Sequence, residues 1–291
     1  MELFLQQTFN GLVIGSVYIL AALGLTLIYG ILVQINFAQG EILMISAFLG
    51  YFAADIFRLD YFLSIVLATV GGAVLGVALE RVAFRPLRQA SALAPLVATI
   101  GISVALQNLA KAWWTADPRQ FTTPYLDQIV RVGGVSFSVQ RLIVLTVSAL
   151  TIAGLYYMIQ RTYMGKALRA TSQDAEVAGL MGIDVNQVIL FTFAVGGALA
   201  GTAGALLGPL LVVQPFMGGP IMLKAFAIVI LGGFGNVQGT ILAGFILGLI
   251  ESYISGYFIG SWVDIVAFAL LVLMLAIRPT GLIAERVEEN V

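Results

Sequence analysis

The sequence predicts an all-α fold: a polytopic membrane helical bundle of about eight to ten spans, some of them broken or short, with an inverted repeat. Three observations point there. Apolar residues fill 60% of the 291 positions and charged residues only 10%, with a mean hydropathy of +1.02, whereas about a quarter of a soluble domain is charged. The apolar residues fall into long runs separated by short polar connections. Glycines recur at four-residue intervals inside those runs, as they do where membrane helices pack closely.

A helix needs roughly 20 apolar residues to cross the hydrocarbon. Runs of that kind lie at residues 8–32, 40–57, 61–80, 93–114, 139–160, 187–211, 238–257 and 262–278. A ninth, at residues 221–233, is too short to cross comfortably and reads as a half-helix or one arm of a broken helix. The first run has no positive segment before it and no small-residue cleavage site after it, so it reads as a retained span and not as a signal peptide. The whole chain, residues 1–291, is expected to form one transmembrane domain, with a cytosolic segment at about 161–186 and an extracytosolic loop at about 115–138.

Basic residues orient the set. Arg81, Arg85 and Arg88 share one connection, Arg161, Lys166 and Arg169 another, and Arg278 and Arg286 follow the last run. The excess of Lys and Arg on cytoplasmic loops makes these three places cytosolic. Counting back through three spans puts the N-terminus outside; a re-entrant segment near residues 34–40 would reverse that assignment. The connection on the opposite side carries Asp117, Pro118, Thr123 and Pro124, and its residues 130–139 alternate around Gly133 and Gly134. That pattern predicts a small hairpin.

The glycines define packing faces. Gly71, Gly72 and Gly76 mark the third run, Gly196, Gly197, Gly201, Gly204 and Gly208 the sixth, and Gly244 and Gly248 the eighth. The third run also carries Glu80 and the eighth Glu251, and the two run in opposite directions across the membrane. Inverted repeats of this kind are typical of transporter folds.

His and Cys are both absent, which removes imidazole bases, thiolate nucleophiles, disulfides and His/Cys metal sites together. Enzymatic chemistry within the chain is not expected, nor is any cofactor, and there is no basic surface for nucleic acid. Attention moves to polar groups in the apolar field, which are costly unless they face a partner or water. Gln34, Asn36, Gln39 and Glu41 interrupt the chain between the first two runs, with Glu41 in the first turn of the second, where the helix dipole favours an anion. A second irregular patch, GGFGNVQG, spans residues 232–239. Both read either as discontinuous-helix points or as surface turns. Thr99, Ser103, Gln107 and Asn108 lie deeper, at helical spacing in the fourth run. Together with Asn36 they are candidates for a polar pathway, or for interhelical hydrogen bonds.

Residues 161–182, RTYMGKALRATSQDAEVAGLMG, form a polar, cation-bearing island between apolar runs. Ala167, Leu168, Ala170, Ala175, Val177, Ala178, Leu180 and Met181 fall near helical spacing, and Thr171, Ser172 and Asp174 offer cap chemistry before a second turn. A short amphipathic helix here would dock on a soluble partner, and a solvated loop that fixes topology is the competing reading.

Five blocks together carry a family resemblance: FLQQTFNGLVIGSVYILAALGLTLIYGI, INFAQGEILMISAF, RTYMGKALRATSQDAEVAGLMGI, GGPIMLKAFAIVILGGFGNVQGTILAG and RPTGL. In this order, over nearly the whole chain, the sequence resembles the permease subunits of branched-chain amino-acid ABC importers, the LivH type. The resemblance implies a bacterial inner-membrane protein with a second homologous permease subunit, two cytosolic ATPase subunits that bind ATP and Mg, and an extracytosolic substrate-binding protein. Importer permeases carry a cytosolic EAA-x-x-x-G segment that enters a cleft on the ATPase. Glu176, Val177, Ala178 and Gly182 reproduce its spacing, with Val in place of the middle Ala. ATPase coupling is thereby implied for Arg169, Asp174, Glu176, Ala178, Gly179 and Gly182.

The resemblance implies import of branched-chain or related amino acids, with permeases for urea, amides or aromatic acids as the neighbouring alternative. A stand-alone secondary carrier is the reading from another class. Such carriers bury ionisable residues for a coupling ion, and the runs here read as poor in them, with Glu251 and Asp264 near span ends as the exceptions.

Overall fold

The computed structural model describes residues 1–283 except 89, 92, 133–134, 259–261 and 279–280. Three places in the sequence reading, Gly133 and Gly134 of the hairpin turn, Pro279 and Thr280 of the RPTGL block, and Arg286, lie outside the described residues. The rest is a helical bundle. Its elements are α1 (Glu2–Leu32), α2 (Gln39–Tyr51), α3 (Tyr61–Leu79), α4 (Arg85–Leu87), α5 (Leu93–Trp114), α6 (Val139–Arg161), α7 (Tyr163–Gln173), α8 (Ala175–Leu180), α9 (Val185–Leu207), α10 (Gly218–Gly232), α11 (Val237–Tyr257) and α12 (Trp262–Ile277). A π-helical turn, Phe52–Ile56, prolongs α2, and another, Glu80–Phe84, joins α3 to α4. Among the described residues six helices are long and apolar enough to cross a membrane: α1, α3 with its continuation, α5, α6, α9 and α11. The all-α, polytopic membrane class is as the sequence predicts.

Side-chain caps set several helix starts. Asp60 accepts from the Phe62 amide at 2.8 Å, Asp184 from the Gln187 amide at 3.2 Å and Asn236 from the Gly239 amide at 2.8 Å. Each satisfies a donor that the first turn would otherwise leave open, a contribution of about 1 kcal/mol. The predicted hairpin is present as strands β1 (Ile129–Val132) and β2 (Val135–Ser138), antiparallel with Val130 opposite Phe137. Phe9 of α1 packs edge-on against Phe137 at 4.6 Å, which ties the hairpin to the N-terminal end of α1.

Two glycine seams hold the core. Between α3 and α9, a Cβ at Gly72 would meet Gly201 Cα at 2.8 Å and one at Gly197 would meet Gly76 Cα at 3.0 Å. Between α1 and α11, a Cβ at Gly11 would meet Leu249 Cα at 2.8 Å, and one at Gly15 the Gly244 carbonyl oxygen at 2.9 Å. Both pairs run antiparallel, and no other residue type lets the backbones approach so far.

The segments before α2 and α10 turn back into the bundle. Val33, with φ 53° at the end of α1, reverses the chain, and Asn36 and Gln39 are then fully buried. Gln39 donates to the carbonyl of Gly196 at 2.8 Å, and Gly196 is halfway along the 23-residue α9. Helix α2 therefore begins at mid-depth. Helix α10 begins there too, because Gly40 and Gly218 abut so closely that a Cβ on either would strike the backbone of the other. Two helix N-termini thus meet inside the bundle.

Candidate functional site

At the α2 N-terminus a polar cluster is assembled from two helices and the buried turn. Glu41, in the first turn of α2 and only 1% exposed, accepts from Ser103 Oγ at 3.0 Å and from Gln107 Nε2 at 2.7 Å, both at Oε1. Ser103 and Gln107 are four residues apart on α5, so one face of that helix presents both. Thr99, one turn earlier, accepts from the Phe37 amide at 3.3 Å. In the turn, Asn36 Oδ1 accepts from the Ala38 amide at 3.1 Å, and its Nδ2 donates to Gln39 at 3.2 Å.

The structure thus brings together Asn36, Thr99, Ser103 and Gln107 of the sequence-derived set. It does not bring Asn108, which is exposed and donates to the Val104 carbonyl of its own helix at 2.8 Å. The sequence of the polar turn at residues 34–40 fits either a helix break or a surface turn, and burial of Asn36 and Gln39 decides for the break. Glu41 enters as the centre of the cluster, and its place in a first helical turn was its signal in the sequence.

The island at residues 161–182 folds as two short helices joined at Asp174. Asp174 leaves α7 extended and caps α8, its Oδ1 accepting from the amides of Glu176 and Val177, both at 2.9 Å. Ala178 faces inward and is buried, while Val177, Leu180 and Met181 are 53%, 83% and 79% exposed. Gly179 has nothing within 4 Å of its open face, and Gly182 closes the element at φ 87°, a conformation a glycine takes without strain. Arg169 donates from α7 back to the Ile159 carbonyl at the end of α6. An acidic, apolar knob is left standing clear of the bundle.

A third constellation gathers Glu251 and Asp264, the ionisable exceptions in the sequence, around a lysine that was not singled out there. Lys224, seven residues into the apolar α10, lies 2.9 Å from Glu251 of α11 and 3.2 Å from Asp264 of α12. It also donates to Tyr18 of α1 at 3.3 Å. The apolar interior is therefore less poor in ionisable groups than its composition implies. Lys224 was legible as a cation inside the short apolar run 221–233, but its partners are 27 and 206 residues distant and no local pattern joins them.

The family of branched-chain amino acid transport system permease components matches this chain over residues 7–275. The chain belongs to this family. It is 37% identical over 303 residues to the high-affinity branched-chain amino acid transport system permease protein LivH of Escherichia coli strain K12, covering 99% of this chain and 98% of the relative. The corresponding protein BraD of Pseudomonas aeruginosa is 36% identical over 301 residues with the same coverage. The probable branched-chain amino acid transport permease protein LivH of Methanocaldococcus jannaschii is 30% identical over 290 residues, covering 94% and 90%.

As a permease component this chain is a multi-pass membrane transport subunit and not an enzyme, and permeases of its kind work with ATPase and substrate-binding partners. The three constellations then divide by position. The Glu41 cluster lies at mid-depth in the bundle, where α2 begins. The α8 knob stands at the bundle end that also holds Arg88, hydrogen-bonded to Asn186 beside the start of α9. The Lys224 group joins four helices around the second buried helix start.

Proposed function

We propose that this permease moves branched-chain or related amino acids inward across the inner membrane as the transmembrane subunit of an ATP-driven importer. The observation that carries the reading is 36–37% identity along nearly the full length to permeases named for that cargo. The complex comprises this chain, a second homologous permease subunit, two cytosolic ATPase subunits that bind ATP and Mg, and an extracytosolic substrate-binding protein. The chain itself holds no cofactor. Exposed apolar side chains on α3, α5, α6 and α12, such as Val66, Val97, Leu150 and Val272, support lipid and a second permease as the bundle's surroundings.

Nine crossings follow if α2, α10 and α12 span together with the six long helices, within the eight to ten expected. An inverted repeat is supported by the packing: exchanging α1, α2, α3 and α5 for α9, α10, α11 and α12 turns the α1–α11 seam into the α9–α3 seam and leaves the Gly40–Gly218 contact in place. Crossing directions reverse under the same exchange. Helix α1 enters where α9 leaves, since Phe9 meets the hairpin at one end and α9 begins beside the coupling segment at the other. The buried turn before α2 re-enters from the side that α1 reached, so parity is unchanged and the N-terminus stays outside.

Transport then runs by force transmission. The α8 knob, with Glu176, Val177, Leu180 and Met181 outward and Asp174, Ala178, Gly179 and Gly182 setting its shape, docks in a cleft on the ATPase. Closure of the ATPase dimer pushes α7 and α8, and Arg169 passes the load to the end of α6 as the bundle rocks between outward and inward access. The test uses the purified complex in proteoliposomes with L-leucine as cargo. Glu176→Ala and Gly182→Val are expected to keep ATPase activity within a few fold while uptake falls at least tenfold. Unchanged uptake with normal coupling overturns the assignment of the knob, and absence of any copurifying ATPase overturns the importer reading.

A further inference from the structure

We infer that the Glu41 carboxylate is the subsite for the ammonium group of the transported molecule. The inference rests on the reading of the chain as an amino-acid permease and adds the residue that grips one end of the cargo.

The buried carboxylates differ in their partners. Glu41, Glu80 and Glu251 are all nearly inaccessible. Glu80 is paired with Arg88 and Glu251 with Lys224. Among the described residues Glu41 has no cationic partner. Its Oε1 accepts from Ser103 and Gln107, but its Oε2 is buried and accepts from nothing. Half of a carboxylate left open at mid-depth is costly unless a donor arrives, and a cation is the donor that offsets the most.

The neighbouring amides are already committed. Asn36 Nδ2 donates to Gln39, and Gln39 Nε2 donates to the Gly196 carbonyl. The first turn of the 13-residue α2 favours the charged form of Glu41 through the helix dipole. The carboxylate thus has two donors on one oxygen and, among the described residues, no counter-charge for the other. A primary ammonium brings three N–H donors and a full positive charge, and it needs only Oε2 to be reached.

Access comes from α5. Of its side chains only Pro95, Thr99 and Ala110 are buried, and it is held to α2 chiefly by the Glu41 bonds and by Trp114 stacked on Phe48 at 4.4 Å. A small outward swing of α5 uncovers the carboxylate. Ile100 and Val104, both exposed, share the helical face of Ser103 and Gln107 and offer apolar surface to a branched side chain.

The test uses the assembled complex, with its ATPase and binding-protein partners, in proteoliposomes. Glu41→Gln keeps an oxygen that can accept from Ser103 and Gln107, so a packing role alone predicts wild-type behaviour. The expected result is a fall in L-leucine uptake of at least tenfold, with assembly with the ATPase subunits and melting temperature retained. Uptake within twofold of wild type overturns the inference. Should the variant fail to assemble, the wild-type permease and ATPase complex without binding protein decides through displacement of bound radiolabelled L-leucine. Isoamylamine, which keeps the ammonium, is expected to compete, and 4-methylpentanoate, which lacks it, is not. Equal competition by both, or by neither, overturns the inference. A wild-type complex that neither binds nor moves any amino acid would instead overturn the amino-acid cargo on which the inference rests.

Discussion

Lys224 shows what one residue can determine in a low-dielectric bundle. It satisfies the buried Glu251 at 2.9 Å and reaches Asp264 at 3.2 Å, joining α10 to α11 and α12. Removing one member of a buried pair leaves a bare charge, at a cost of about 3–5 kcal/mol, whereas replacing both by apolar groups is often neutral. Lys224→Met should therefore lower the melting temperature of the detergent-solubilised complex by several degrees, and Lys224→Met with Glu251→Leu should recover most of the loss. A single variant that melts like wild type would show that the pair contributes nothing. The same residue marks where the sequence stopped being readable. Spacing on one helix joined Thr99, Ser103 and Gln107, because residues three and four apart share a face. Gathering Lys224, Tyr18 and Glu251 takes tertiary structure, and so does aiming Asn108 away from the cluster that its neighbour Gln107 completes.

At the scale of elements, hydropathy and glycine spacing exposed most of the fold. All nine apolar runs became helices, the residues 130–139 became the hairpin, and Gly72, Gly76, Gly197, Gly201, Gly244 and Gly248 lie on helix contacts as their intervals foretold. Depth was harder to read. Residues 34–40 have the composition of a surface turn, and only packing against Gly24 and Gly196 carries them into the core, where Asn36 and Gln39 bond to each other and to backbone. The glycines also separate into those that touch a neighbour and those that do not. A Cβ at Gly197 would collide with the Gly72 backbone, whereas Gly101 and Gly154 face open space. Gly197→Leu is expected to force α3 and α9 apart and abolish recovery of folded permease. Gly101→Ala and Gly154→Ala should express and elute as wild type. Normal folding of Gly197→Leu, measured by monodispersity in detergent, would show that the seam is not the close contact its geometry describes.

At the scale of the whole molecule, the distribution of basic residues argues for sidedness, and the proposed role of the α8 knob requires it to lie on the cytosolic side. Arg81, Arg85 and Arg88, then Arg161, Lys166 and Arg169, then Arg278 gather at one end of the bundle, where Arg88 meets Asn186 and the chain after α12 returns to α10 through the Leu282 amide on the Leu231 carbonyl at 2.8 Å. Arg58, Lys111, Arg119 and Arg141 lie toward the other end, where Arg119 is occupied with the Trp114 carbonyl and Arg141 with Asn10. The asymmetry favours the first end as cytosolic. The chain contains no cysteine, so single cysteines report position without background. Thr122→Cys, in the exposed loop after α5, should react with a membrane-impermeant maleimide in intact right-side-out vesicles. Met181→Cys, at the tip of the knob, should react only after permeabilisation or in inverted vesicles, and adding the ATPase subunits should then slow it severalfold, because docking covers that tip. The reverse labelling pattern would place the knob outside, where no nucleotide-driven motor could grip it, and would overturn the proposed transmission of force from the ATPase to the bundle.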